Sequence, residues 1–177
     1  AVDHPSKADV SELLAGGSPA KEYRLRDLVA ALDHARNDDR VKAVALDLDG
    51  FAGGGQAAMS DLSDAIRRVR DSGKPVLAYA TAYSDDSYQL ASAASEIWLN
   101  PFGLVAIVGP GGPNLYYAGL LEKLGITANV YRVGAYKAAV EPFTRNDMSP
   151  EAEQNAQALG AALLESWREH VARARPK

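Results

Sequence analysis

Apolar positions along the chain recur with two different periods, and the two alternate. Leu25, Leu28, Val29 and Leu32 recur at helical spacing and predict a first amphipathic helix. Val41–Leu48 is short, mostly apolar and rich in valine and leucine, which predicts a buried strand broken by Asp49–Gly55. Met59, Leu62, Ile66 and Val69 mark a second helix, expected to stop before the turn cluster Asp71-Ser72-Gly73-Lys74-Pro75. Pro75–Ala80 predicts another buried strand. Ser84–Ser95 predicts a helix with Tyr88, Ala91 and Ala94 or Ser95 on one face. Two short strands are expected next: Glu96–Leu99, ended by Asn100-Pro101, and Val105–Val108, ended by the turn Gly109–Pro113.

Asn114 is a candidate cap for a helix running to Leu124, with Gly125 closing it. Ile126–Val133, rich in β-branched residues and tyrosine, predicts a strand. The last helix has the clearest start. Ser149 suits an N-cap and Pro150 the first helical position, and Ala156, Leu159, Leu163, Trp167 and Val171 form an apolar stripe. Residues 1–22 are polar and rich in Ser, Gly and Pro, a loose lead-in to one domain over 23–177. Helices alternating with short apolar strands predict an α/β domain with a mostly parallel sheet. Sites in such sheets gather at the carboxyl ends of strands, where the glycine-rich loops of this chain fall.

Composition narrows the function classes. At 177 residues, 47% hydrophobic and 24% charged, the chain can bury a core of useful size. A net charge of -4, with scattered basic residues, predicts no nucleic-acid partner. No cysteine is present, which excludes disulfides, thiolate metal sites and a cysteine nucleophile. His4, His34 and His170 have no partners at ligand spacing, so no metal is expected. No apolar run reaches the roughly 18 residues of a spanning helix. No basic-then-apolar leader opens the chain, and Ala1–Val10 reads as a cut, so any signal or anchor is expected upstream.

Gly50–Gly55 and Gly109–Gly112 match neither the P-loop nor the dinucleotide fingerprint, and no cofactor is expected. Ala52-Gly53-Gly54-Gly55 after a strand and before a helix leaves two readings open: free backbone N–H groups for an oxyanion, or a tight turn. A serine triad finds no support, because there is no G-x-S-x-G elbow and Ser84, Ser87, Ser92 and Ser95 share a helical stretch without a suitable histidine. There remains Arg132-Val-Gly-Ala-Tyr-Lys137-Ala-Ala-Val-Glu141-Pro-Phe143. A lone lysine is usually a solvated charge. Lys137, however, sits after a glycine, between Tyr136 and the small Ala138 and Ala139, and apolar packing there would lower its proton affinity toward that of a base. Glu141 would act in the opposite sense if it paired with the amine.

That stretch, continued through Asp147-Met-Ser-Pro150, closely resembles the signal peptide peptidase (protease IV) family in its long form. The weaker matching phrases are Leu46-Asp-Leu with Phe51-Ala-Gly-Gly54, Asp71–Pro75, Tyr88–Ser92, Ile97-Trp-Leu and Leu115-Tyr-Tyr117. The resemblance runs from about Leu25 onward. It implies a ClpP/crotonase-like fold of repeated ββα units and two similar halves in tandem. This chain matches the amino-terminal half, and Lys137 falls on the lysine general base of a Ser–Lys dyad. The serine belongs to the carboxyl-terminal half, which this chain lacks. The place matching that serine is here Asp85, followed by Asp86 and Ser87. The residue after the lysine, often serine in relatives, is Ala138. Gly53 and Gly54 match an oxyanion-type loop by position.

The resemblance further implies signal peptide substrates, a carboxyl-terminal serine-bearing half as partner, a homo-oligomer, and attachment at the periplasmic face of the bacterial inner membrane through a segment outside this chain. The isolated chain is expected to be inactive. Two other readings stand beside this one. A crotonase-type acyl-thioester enzyme would use the loop at Gly53–Gly54 and a carboxylate such as Asp85. In a non-catalytic scaffold this half would only build a ring or dome, and Lys137 would be incidental.

Overall fold

The structure, a computed structural model, describes residues 22–131 and 138–175. They fall into two compact units. The first takes the described residues up to Val108 and those from Trp167 onward, and the second is Gly109–Ser166.

The first unit is built on three parallel strands, β1 (Val44–Asp47), β2 (Val76–Tyr83) and β3 (Glu96–Val105), in that spatial order. Helix α1 (Leu25–Asn37) precedes them, α2 (Gln56–Asp71) joins β1 to β2, and α3 (Asp85–Ser92) joins β2 to β3. The expected α/β class and parallel sheet are both present. Parallel strands need crossovers, and the helices supply them. Val44 lies opposite Val76, and Leu77 opposite Glu96.

The core sits where the helical stripe of α2 meets the alternating face of β2. Val76, Ala78 and Ala80 are fully buried, as are Ala65 and Val69, and Ile66 is 1% exposed. Leu90 and Ala91 of α3 close the cluster. Alanine at every second strand position lets helix and sheet approach, while Ile66 and Val69 supply the buried volume. The turn at Gly73-Lys74-Pro75 does more than reverse the chain. Lys74 Nζ donates to the carbonyls of Ala35 and Asp38, each at 2.7 Å, so a cation satisfies the carboxyl end of α1.

β3 corrects the expected break at Asn100-Pro101, because one strand runs through it. The ladder shows why. Leu99 pairs with Ala80, and pairing resumes only with Leu104 opposite Ala82. The intervening residues bulge against Thr81 alone, with Phe102 N–H held by Asn100 Oδ1 at 3.0 Å. Proline is tolerated there because no ladder partner waits for the missing N–H. β3 ends at Val105, so the separate strand expected over Val105–Val108 is not formed.

The second unit holds α4 (Ala118–Lys123), a 3₁₀ turn (Ala138–Val140), the short α5 (Glu141–Thr144) and most of α6 (Pro150–Ala174). α4 starts at Ala118, not just after Asn114, with Tyr117 as its cap residue. Its end is the expected one. Gly125 has φ +67°, its N–H reaches Glu122 O, and Ile126 N–H turns back to Leu121 O at 2.9 Å. That closure takes the Ile126 donor, and no residue over 126–131 lies in a strand, contrary to expectation. α6 begins as predicted, with Ser149 Oγ accepting from Ala152 N–H at 3.2 Å. Its stripe is only half buried: Leu163, Trp167 and Val171 are partly covered, whereas Ala156 and Leu159 are exposed. Among the described residues, no helix is long and apolar enough to cross a membrane.

Candidate functional site

Lys137 lies outside the described residues, as does the rest of 132–137. Two places bear on the chemistry, one in each unit.

In the first unit, the loop after β1 and the start of α3 lie at the carboxyl ends of the strands. Gly50, Gly53 and Gly55 have φ of +71°, +97° and +79°, values that side-chain-bearing residues rarely adopt. The loop therefore turns sharply and delivers Gly55 as the cap residue of α2. Between those turns the Gly54 N–H donates to Asp86 Oδ2 at 3.0 Å. A Cβ at Gly53 would overlap the same carboxylate. Both readings of this loop thus hold in part: it is a tight turn, and it does present an N–H donor, but an internal carboxylate accepts from it. Asp49 braces the loop from below, accepting from Thr81 N at 2.6 Å and Thr81 Oγ1 at 3.1 Å.

The start of α3 carries Asp85, Asp86 and Ser87, the stretch that the resemblance matches to the nucleophile's place. Ser84 is its N-cap, linked reciprocally to Ser87: Ser84 N–H donates to Ser87 Oγ at 2.8 Å. Both hydroxyls are thereby engaged in local capping. Asp85 and Asp86 occupy the first turn, where negative charge is favoured by the helix dipole. Asp85 Oδ2 accepts from Val108 N–H at 3.1 Å, and its carbonyl accepts from Trp167 Nε1 at 2.9 Å. Tyr83, one residue before the cap, is 1% exposed and donates to Trp98 O at 3.0 Å. Burial, aided by the Asp49 carboxylate and Tyr79, raises its phenol above the ordinary value. It is therefore a neutral structural phenol at neutral pH.

This arrangement makes a prediction. In Asp86→Ala the Gly54 N–H loses its acceptor, which should cost about 1 kcal/mol. The expected readout is faster hydrogen exchange at the Gly54 amide and a thermal midpoint lower by about 2–4 °C. Unchanged exchange at Gly54 would show that the bond does not persist in solution.

In the second unit, the 3₁₀ turn Ala138–Val140 directly follows Lys137 in sequence and leads into Glu141. Glu141 is 2% exposed. Its Oε1 accepts from Ser149 Oγ at 2.6 Å and its Oε2 from Ser149 N–H at 3.1 Å. Tyr117 N–H reaches Pro142 O at 2.6 Å, and the Tyr117 and Phe143 rings stack at 6.1 Å. Gly119 N–H donates to Asn146 Oδ1 at 2.9 Å.

Sequence reasoning missed two of these contacts. Asp86 and Gly54 are 32 residues apart, and nothing local to either announces the other. The Glu141–Ser149 bond had a signal: an N-capping serine eight residues after a glutamate inside one specific phrase. Among the described residues no group of His, Asp or Glu side chains is placed to hold a metal ion.

The sequence model of peptidase family S49 matches residues 68–177. Protease 4 of Haemophilus influenzae is 46% identical over 82% of this chain and 23% of its own length. Protease 4 of Salmonella typhi is 46% identical over 76% of this chain and 22% of its own. The chain therefore spans about a quarter of the length of these curated relatives. A crystal structure of an enoyl-CoA hydrotase/isomerase family protein from Silicibacter pomeroyi is 18% identical, with a TM-score of 0.39 over 85% of this chain and 78% of that one.

Proposed function

Because this chain belongs to peptidase family S49, we propose that it is the lysine-bearing part of a serine endopeptidase whose nucleophile lies in a carboxyl-terminal half outside it. The observation that carries the division of labour is the start of α3. The position that would bear the serine is Asp85, and its neighbour Asp86 accepts from the Gly54 N–H at 3.0 Å. A carboxylate neither attacks a peptide carbonyl as serine does nor leaves that donor available to an oxyanion. The same bond weighs against the acyl-thioester reading, since a thioester oxygen would need that N–H.

In the proposed reaction, neutral Lys137 takes the proton from the serine hydroxyl. The serine oxygen bonds to the peptide carbonyl carbon, and backbone N–H groups of the serine-bearing half hold the oxyanion. The lysine ammonium then protonates the departing amine, and a water repeats the sequence to release the acyl group. Lysine serves without histidine only when its amine is neutral at working pH, which a desolvated setting provides. Cleaved signal peptides are the proposed substrates, because an apolar peptide would itself exclude water. Attachment at the periplasmic face of the bacterial inner membrane, through a segment outside this chain, and assembly into a homo-oligomer complete the proposal, as does the ClpP/crotonase-like packing of both halves.

The test compares the isolated chain with the full-length parent on a fluorogenic apolar peptide. Hydrolysis by the parent and none by the chain is the expected result. Turnover by the chain alone would place a nucleophile within it and overturn the division.

A further inference from the structure

The Glu141–Ser149 contact asks for more explanation than folding gives it. Glu141 is 2% exposed, and burying a carboxylate is costly unless its oxygens are satisfied. Here both are used: Ser149 Oγ–H donates to Oε1 at 2.6 Å and Ser149 N–H to Oε2 at 3.1 Å. Ser149 caps α6 through Ala152 N–H, and Glu141 takes the cap residue's own N–H, so the carboxylate ties the short α5 to the start of α6. A neutral or apolar side chain would close the short α5 turn with less desolvation.

That tie lies next to the lysine in sequence. Glu141 follows Lys137 by four residues, and the intervening Ala138–Val140 is a single 3₁₀ turn. Fixing Glu141 fixes the far end of that turn, which begins at the residue after the lysine. The rest of the segment is held at several further points. Thr144 Oγ1 donates to Val140 O at 3.3 Å, Tyr117 N–H reaches Pro142 O, and Phe143 stacks on Tyr117. Such a segment has little freedom to drift, and a general base must be held within a fraction of an ångström of its working position.

We propose that Glu141 and Ser149 form a positioning pair for Lys137, the buried carboxylate anchoring through the Ser149 hydroxyl the turn that follows the lysine in sequence. This inference rests on the reading of Lys137 as general base. Neither Glu141 nor Ser149 touches the substrate in this scheme, so removing them should lower turnover and leave substrate binding alone.

The test is steady-state hydrolysis by the full-length parent. Glu141→Ala and Ser149→Ala are each expected to lower kcat by roughly 10–100-fold with KM held within about twofold, the scale of a misplaced catalytic group. The double variant should lose little more than either single one, because both break one unit. Ser149→Thr, which keeps the hydroxyl, should restore kcat to within about threefold of the parent. If Glu141→Ala does not fold, Glu141→Gln carries the test, with a fall in kcat at an unchanged thermal midpoint as the supporting result. Unchanged kcat in folded Ser149→Ala, or losses that simply add in the double variant, would overturn the positioning role. Lys137→Ala separates the two levels. If it abolishes hydrolysis while Glu141 and Ser149 variants keep kcat, only the positioning pair fails. If it retains hydrolysis, the base assignment fails first.

Discussion

Replacing Lys137 with alanine in the full-length parent should lower kcat for peptide hydrolysis by roughly 10²–10⁴-fold, the usual contribution of a general base. The serine would still lie beside a bound peptide and the oxyanion donors would still be in place. What disappears is the acceptor for the hydroxyl proton and, later, the donor for the leaving amine. KM should change little, because in the proposed reaction the amine acts on the serine and not on the ground-state peptide. Lys137→Arg should be nearly as damaging, since a guanidinium stays charged at any working pH and cannot accept the proton. That second variant separates a base from a positive charge that merely holds substrate. Full activity in Lys137→Arg with loss in Lys137→Ala would assign the lysine to binding. Activity surviving in both would reduce this half to a scaffold. The measurement is a kcat and KM comparison on one fluorogenic peptide, with folding checked by circular dichroism.

The elements nearest the core were legible in the sequence because there periodicity and burial coincide. Met59, Leu62, Ile66 and Val69 repeat at helical spacing and all four are buried on α2. Val76, Ala78 and Ala80 alternate and all three are buried on β2. Where neighbours decide the outcome, the pattern misled. Asn100-Pro101 reads as the end of a strand, yet β3 continues past it, because the sheet tolerates a bulge on the side of Thr81. Ile126 and its β-branched neighbours read as a strand, but closure of α4 at Gly125 takes the first donor. Ala156 and Leu159 fit an apolar stripe by spacing and are exposed. Spacing identifies a face and says nothing about whether anything covers it.

The site was legible to a different degree. The glycine-rich loop after β1 announces itself, since Gly53 and Gly55 both carry positive φ in a turn that leads into α2. That Asp86 would accept from its N–H could not be read, because a hydrogen bond across 32 residues leaves no local trace. Asp85 and Asp86 look from composition like ordinary first-turn acids, and they are that as well. Lys137 was legible only through the phrase around it. Its role is a proposal that the kinetic comparison above tests, while Glu141 and Ser149 are residues of that phrase whose side-chain contacts are in view.

A large loss of stability should come from the single substitution Gly103→Ala. Gly103 lies in the bulge of β3, where the backbone passes close to the neighbouring strand. A Cβ there would overlap the carbonyl oxygen of Thr81 and lie 2.9 Å from that of Asn100 and 3.0 Å from Leu99 Cδ1. Two of these three neighbours are backbone atoms, which a rotamer change cannot move. The strain can be relieved only by shifting β3 away from β2. That would break pairing on either side, at Leu99 with Ala80 and at Leu104 with Ala82. Overpacking of this kind costs about 3 kcal/mol. For a chain of this length that corresponds to a thermal midpoint lower by about 6–12 °C. Gly50→Ala is the control. It places a Cβ where no heavy atom lies within 4 Å, so it meets only the strain of φ +71°, about 1–2 kcal/mol. Thermal unfolding of the isolated chain, followed by circular dichroism, compares the two. If Gly103→Ala unfolds no earlier than Gly50→Ala, the bulge is looser than its geometry implies and β3 can part from Thr81 at little cost. If it unfolds well before the control, the close approach of β3 to Thr81 is what holds the edge strand through Asn100-Pro101, and glycine is required there by space, not by its backbone angles.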